Sequence, residues 1–167
     1  MFNTNAYFGT DAVLTVSDAD GVDAGAMTNY FGESGIVARL TDVTVEVFTE
    51  IKPFHEIGSR AAKELRAGNI HISGRVKRAM INGALLKLSL GAYAEGEEAG
   101  QPKIPTFNMK LMLDNLKPAG DEGNCIITLY GVMFENWMAR FPQDDFAMEG
   151  LRFKARRIQI EDSEISG

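Results

Sequence analysis

At 167 residues and 18.3 kDa, with 45% of its residues hydrophobic, the chain is long enough to bury one core and too apolar for a disordered polymer. Its net charge of −6 argues against a protein that grips duplex nucleic acid through concentrated positive charge, and no apolar run approaches the roughly 20 residues of a membrane-spanning helix. The start, MFNTNAYFGTD, lacks the basic and apolar regions of a signal peptide, and the single Cys125, within CIITLYGV, reads as a small buried hydrophobe with no disulfide partner in the chain.

Charge is unevenly spread. Residues 1–50 hold Arg39 alone against eight Asp and Glu, whereas residues 51–100 hold eight Lys and Arg against five acids. An acidic first third followed by a basic middle is an arrangement by which copies attract one another head to tail.

In chain order, the first strand is expected from Thr10 to Val16. It leads into SDADGVDAGAMTNYFGESG, Ser17 to Gly35, read as a long loop whose Met27, Tyr30 and Phe31 order on a neighbouring subunit. Strand chemistry returns at Ile36. Val43, Val45, Val47, Thr49 and Ile51 share one face, opposite Asp42, Thr44, Glu46, Phe48 and Glu50, until Pro53 ends the strand or marks it as an edge. HEIGSRAAKELRAG is helical by propensity. Around Ile70 alternation resumes, with Ile70, Ile72 and Val76 opposite His71, Ser73, Arg75 and Lys77. Asn82-Gly83 breaks that strand, and Ala84 to Leu90 forms a short buried helix stopped by Gly91.

AYAEGEEAGQPKIP then reads as a polar loop, Phe107 to Leu113 as an alternating strand, and PAGDEGN as a turn. Cys125 to Phe134 is apolar in both phases, as in a strand covered on both faces, and Phe134, Trp137, Met138 and Phe141 form a cluster suited to sealing a barrel end. The last strand, Leu151 to Glu161, changes phase at Arg156-Arg157, where a β-bulge would return its apolar residues to one side. Six or seven strands and one short helix make a single all-β domain over residues 1–167, a small barrel or sandwich with the helix packed across an opening.

No catalytic, cofactor-binding or metal-ligating residues are nominated. His55 and His71 lack a zinc-ligand spacing, Asp144 and Asp145 are adjacent and point apart in extended chain, and GVDAG and AEGEEAG lack the strand context and Lys-Ser/Thr ending of a phosphate loop. Arg75, Lys77 and Arg78 are the nearest approach to a basic patch, read as a salt-bridging surface between subunits.

The run GSRAAKELRAGNIHISGRVKRAMINGALLKLSLG, with the C-terminal FENWMARFPQDDFAMEGLRFKARRIQIED, resembles the tail tube proteins of bacteriophages, especially contractile-tailed ones. The likeness covers about Thr41 to Asp162, its specific parts being IGSR, AGNIHISGRVKRAMINGALL and the closing strand. It favours extended chain and a turn, not a helix, over HEIGSRAAKELRAG. It implies a non-enzymatic β-barrel subunit, without cofactor, that assembles through strand edges into stacked hexameric rings forming the conduit for phage DNA ejection. The implied partners are its own copies and tail sheath, terminator and baseplate proteins, with phage DNA passing through the lumen without specific binding and no membrane contact. The implied place is the virion tail, after synthesis in the host cytoplasm. On this reading Glu46 and Glu50 face the lumen, while Met27, Tyr30, Phe31, Arg75 and Lys77 make subunit or ring contacts. The alternatives are a tube component like the related haemolysin-coregulated proteins of type VI secretion, or a monomeric β-barrel enzyme or ligand-binding module.

Overall fold

A computed structural model describes residues 6–22, 24–96, 103–114 and 124–163. In chain order these form β1 (Ala12–Asp20), α1 (Ala24–Phe31), β2 (Leu40–Phe54), β3 (Glu64–Ala79), α2 (Ala84–Leu90), β4 (Thr106–Asp114), β5 (Asn124–Arg140), β6 (Met148–Ala155) and β7 (Arg157–Asp162). The strands run in the order β1-β4-β5-β6-β3-β2, with β7 beside β5, and the pairings are antiparallel.

The sheet curls into a half-barrel because the 17-residue β5 serves two walls. Its first half pairs with β4 on one side and β7 on the other, and its second half pairs with β6. One wall is therefore β1-β4-β5-β7 and the other β5-β6-β3-β2. The corner falls at Gly131, whose φ of +62° is in the left-handed region, and opposite it Arg156 N–H donates to the Tyr130 carbonyl at 2.9 Å. The break at Arg156 separates β6 from β7 where the phase change predicted a bulge, and it brings Ile158 back against the core.

Between the walls lie Leu14, Val16, Phe107, Met109, Leu129 and Val132 from one side, and Ile72, Val76, Phe134, Leu151 and Phe153 from the other. Each such side chain contributes about 1.5–3 kcal/mol by leaving water. Leu85 and Leu88 of α2 are buried in the same core. Phe107 and Phe134 meet across it in a tilted pair 4.9 Å apart. Gly74 lets β2 and β6 lie close on either side of β3, since a Cβ there would lie 2.4 Å from the Phe153 ring and 2.0 Å from the Thr44 carbonyl oxygen.

Several expectations need correction. Ser17 to Gly35 is not a loop, because β1 continues to Asp20 and α1 follows. Met27, Tyr30 and Phe31 stand at helical spacing on α1 and pack against this chain's own core, with Phe31 only 6% exposed. Over HEIGSRAAKELRAG the extended reading holds and the helical propensity does not, since Glu64 to Ala67 pairs with Ile51 to Phe54. Pro53 does not end β2, which lies at the edge of the sheet and tolerates it. Ile70 is 64% exposed because β6 begins its pairing with β3 only at Ile72, leaving no second layer over Ile70. Met138 and Phe141 are exposed, so the cluster around Trp137 does not assemble as a plug. The loop over Ala92 to Pro105 holds a 3₁₀ turn at Gly91–Glu95, its residues 97–102 lie outside the described set, and most of PAGDEGN lies outside it too. No helix of the described residues is long and apolar enough to cross a membrane.

Candidate assembly surfaces

The solvent side of the β5-β6-β3-β2 wall carries the residues of greatest interest. Strand alternation puts Val43, Val45, Ile72, Val76, Leu151 and Phe153 inward and leaves Asp42, Thr44, Glu46 and Phe48 of β2 facing out. Beside them on β3 are His71, Ser73, Arg75 and Lys77, then Arg152 and Lys154 on β6, and Glu135 on β5. Arg75 is paired directly with Thr44 on one side and Arg152 on the other. The order across the wall is thus acidic, basic, basic, acidic.

The two nominated glutamates differ. Glu46 is exposed beside Ser73. Glu50 is half-buried at a register shift, where one oxygen lies 2.9 Å from His71 Nε2 and the other accepts the Asn69 N–H at 3.4 Å. The His71 hydrogen bond, then the Asn69 amide, hold the Glu50 carboxyl below the usual carboxylate range. The Phe48 ring stacks on His71 at 6.1 Å.

Beyond that point β2 and β3 pair only with each other among the described residues and project as a two-stranded arm. Ile51, Phe54, Ile57, Leu65 and Ile70 are exposed along it. Large apolar side chains grouped on an unsupported hairpin are a signature of a surface that another chain covers. The wall also ends in two edges unpaired among the described residues, β2 on one side and the second half of β5 on the other.

Sequence reasoning missed what holds this wall to α2. Arg78 and Glu149, 1% and 2% exposed, form an ion pair with Nε to Oε1 at 2.5 Å. Trp137 Nε1–H donates to the other Glu149 oxygen at 2.9 Å, and Arg78 also donates to Asn82 Oδ1 at 3.0 Å. Asn82 Oδ1 in turn accepts the Ala84 N–H at the start of α2. Arg78 therefore leaves the expected surface patch, while Arg75 and Lys77 remain exposed on it. The inward placement of Arg78 was legible in its sharing a strand phase with Val76.

Cys125 is half-buried opposite Asp162, and desolvation, then the hydrogen bond and negative charge of Asp162, push its thiol up to about 11. That is poor chemistry for a nucleophile. Where the half-barrel is open, an apolar cleft of about 910 Å³ separates β1 from β2, bridged by Gly35 to Val37 against Leu14 and Val16.

No family model matches the chain, and no curated protein matches it in sequence. Its fold has clear counterparts among solved structures. A chain of the anti-feeding prophage baseplate is 12% identical, with 95% of this chain and 97% of that one covered at a TM-score of 0.64. A chain of the sheath-tube complex of PVC, an extracellular contractile injection system, is 9% identical, with coverage of 96% and 94% and a TM-score of 0.62. The SPP1 tail tube is 12% identical, with coverage of 96% and 81% and a TM-score of 0.56. The chain has the tail tube fold. In tail tube terms, the half-barrel accounts for the domain and the β2–β3 hairpin for a projecting arm. The expected helix across the opening is corrected: α2 packs against β5, not across the open side between β1 and β2. The counterparts named are parts of a baseplate, a sheath-tube complex and a tail tube.

Proposed function

We propose that this chain is the subunit of a phage-type tail tube, closing into hexameric rings that stack into a conduit. The observation that carries the reading is the near full-length likeness to tube proteins combined with a curved wall whose two edges are unpaired among the described residues. If β2 of one copy pairs with the second half of β5 in the next, the contact is head to tail, removes both exposed edges, and generates a ring when the curvature closes. The β5-β6-β3-β2 wall then becomes a continuous cylinder, with each subunit's core outside it and Glu46, Glu50 and their neighbours facing the bore. The β2–β3 arm reaches beyond its own ring to the next copy, where Ile51, Phe54, Ile57 and Leu65 are buried. Met27 and Tyr30, half-buried on α1, and Arg75 and Lys77 are available for contacts between copies; Phe31 is already inside the core. Sheath, terminator and baseplate proteins are the further partners of such a subunit, and the virion tail its place.

Negative-stain electron microscopy and sizing of the purified protein test this. Rings or tubes forming without nucleotide or metal are expected. Compact monomers at every protein concentration and salt would reject it in favour of a monomeric β-barrel module. A tube of a contractile injection or type VI-like system has the same subunit geometry, and the match to the PVC sheath-tube complex favours it as the second reading.

A further inference from the structure

The two ends of the β5-β6-β3-β2 wall carry different surfaces. At one end the β2–β3 arm is two-faced: Ile51 stands opposite Ala67 and Pro53 opposite Leu65 on one side, with Lys52 opposite Arg66 and Phe54 opposite Glu64 on the other. Lys52, Arg60 and Lys63 have no ion pair among the described residues, and the arm's acids are Glu56 and Glu64, the latter held by Arg66 at 2.7 Å. At the far end, the turn between β5 and β6 is apolar and acidic. Phe141 and Phe146, 67% and 80% exposed, flank Asp144 and Asp145, and neither carboxylate has an ion pair among the described residues, Arg140 included. Exposed Ile81 follows Met80, whose N–H donates to the Ala147 carbonyl of this turn at 2.9 Å. The hydrogen bond from Trp137 to Glu149 ties β5 to β6 below the turn without covering its phenylalanines.

We infer that the β5–β6 turn is the docking surface for the arm of a second copy, with Phe141, Phe146 and Ile81 covering Ile51, Ile57 and Leu65, and Asp144 and Asp145 meeting Arg60 and Lys63. A chain does not make this contact with itself, because Ile72 to Ala79 of β3, paired to β6 throughout, hold arm and turn apart by roughly 23 Å. Grouped apolar side chains at both ends call for cover. The charges then choose the partner: unpaired cations on one arm repel those of another arm, and the turn's aspartates repel those of another turn, so arm on turn is the combination that charge and apolar area both favour. Because the two surfaces differ and lie at opposite ends, the contact repeats head to tail and adds copies along the strand direction. That the added copy belongs to the next ring rests on the tube reading; the contact itself does not.

Charge reversal tests the pairing, with analytical ultracentrifugation and electron microscopy of the purified proteins as readouts. Arg60→Glu/Lys63→Glu alters the arm and Asp144→Lys/Asp145→Lys the turn; all four positions are exposed, so both variants should keep the wild-type denaturant midpoint. Each should weaken end-to-end association at least about tenfold, and the variant carrying all four changes should recover it, since a reversed arm fits a reversed turn. Phe141→Ser/Phe146→Ser should weaken association as well. The inference is overturned if both charge variants assemble as the wild type does, if the four-fold variant fails to recover, or if a reconstruction of the assembly leaves Phe146 in water. Rings that form in each charge variant without stacking, and stack again in the four-fold variant, would sustain the contact together with the tube reading. Loss and recovery of association in a protein that never forms rings would sustain the contact and remove the tube reading, whereas tubes of wild-type length from both charge variants would do the reverse.

Discussion

Two side chains illustrate how local surroundings set chemistry. Cys125 keeps its proton because ionisation would place a thiolate in partly desolvated surroundings beside the Asp162 carboxylate. Alkylation of the folded protein should therefore accelerate only as pH approaches about 11, compared with 9.0 for an ordinary thiol. Asp162→Asn should move the rate profile back toward neutral pH. In linkage terms the folded state retains this proton after the unfolded chain has released it, so the thiol's contribution to stability is intact below 9.0 and is lost as pH rises through about 11. Glu50 has the opposite sign. Its lowered carboxyl contributes at neutral pH and fails only as pH falls below the usual carboxylate range. Hydrogen exchange at the Asn69 amide, which donates to Glu50, should lose protection on that acid side, and Glu50→Gln should weaken the response.

At the scale of elements, the Arg78–Glu149 pair joins β3 to β6 and, through Asn82, to the first turn of α2. Removing one partner leaves a buried charge uncompensated, so Glu149→Leu should cost about 3–5 kcal/mol in denaturant unfolding. Arg78→Met/Glu149→Leu should recover most of that loss, because two apolar side chains need no partners. A different limit operates at Gly74. Ala there would drive a methyl into the Phe153 ring and the Thr44 carbonyl, and about 1–3 kcal/mol of destabilisation is expected from the same measurement. Helix α1 belongs to this scale too. Phe31 lies in the core, so removal of Ser17 to Gly35 should destabilise the subunit itself rather than sever a contact between subunits.

For the whole molecule, assembly is the property to test. Glu46→Lys/Glu50→Lys should fold, since both positions face away from the core, and should raise salt-dependent retention of DNA by assembled tubes as each ring gains repeated cations. A tube reconstruction with both side chains in a subunit contact or on the outer surface would refute their assignment to the bore. Changing Ile57 and Leu65 to Ser is expected to spare the fold, because both are exposed on the arm, and to shorten or abolish tubes in micrographs.

Periodicity carries much of this architecture. The alternation of β2, β3, β4 and β6, the stop at Asn82-Gly83, the buried α2 and the phase change at Arg156 all follow from side chains choosing between water and a core. The 3–4 spacing of Met27, Tyr30 and Phe31 was equally present in the sequence, obscured by surrounding Gly and Asp. Other features depend on partners distant in the chain. Pairing with β2 makes Glu64 to Ala67 a strand, and the lack of a second layer beyond Ile72 leaves Ile70 in water. Register sets Arg75 opposite Arg152 and Lys77 opposite Asp42, and Trp137 reaches Glu149 only because β5 pairs with β6. The sequence by itself determined which residues seek burial and where the chain turns, since those preferences act over a few neighbours; tertiary structure alone decided which faces are covered and which charges meet, since these depend on contacts tens of residues apart.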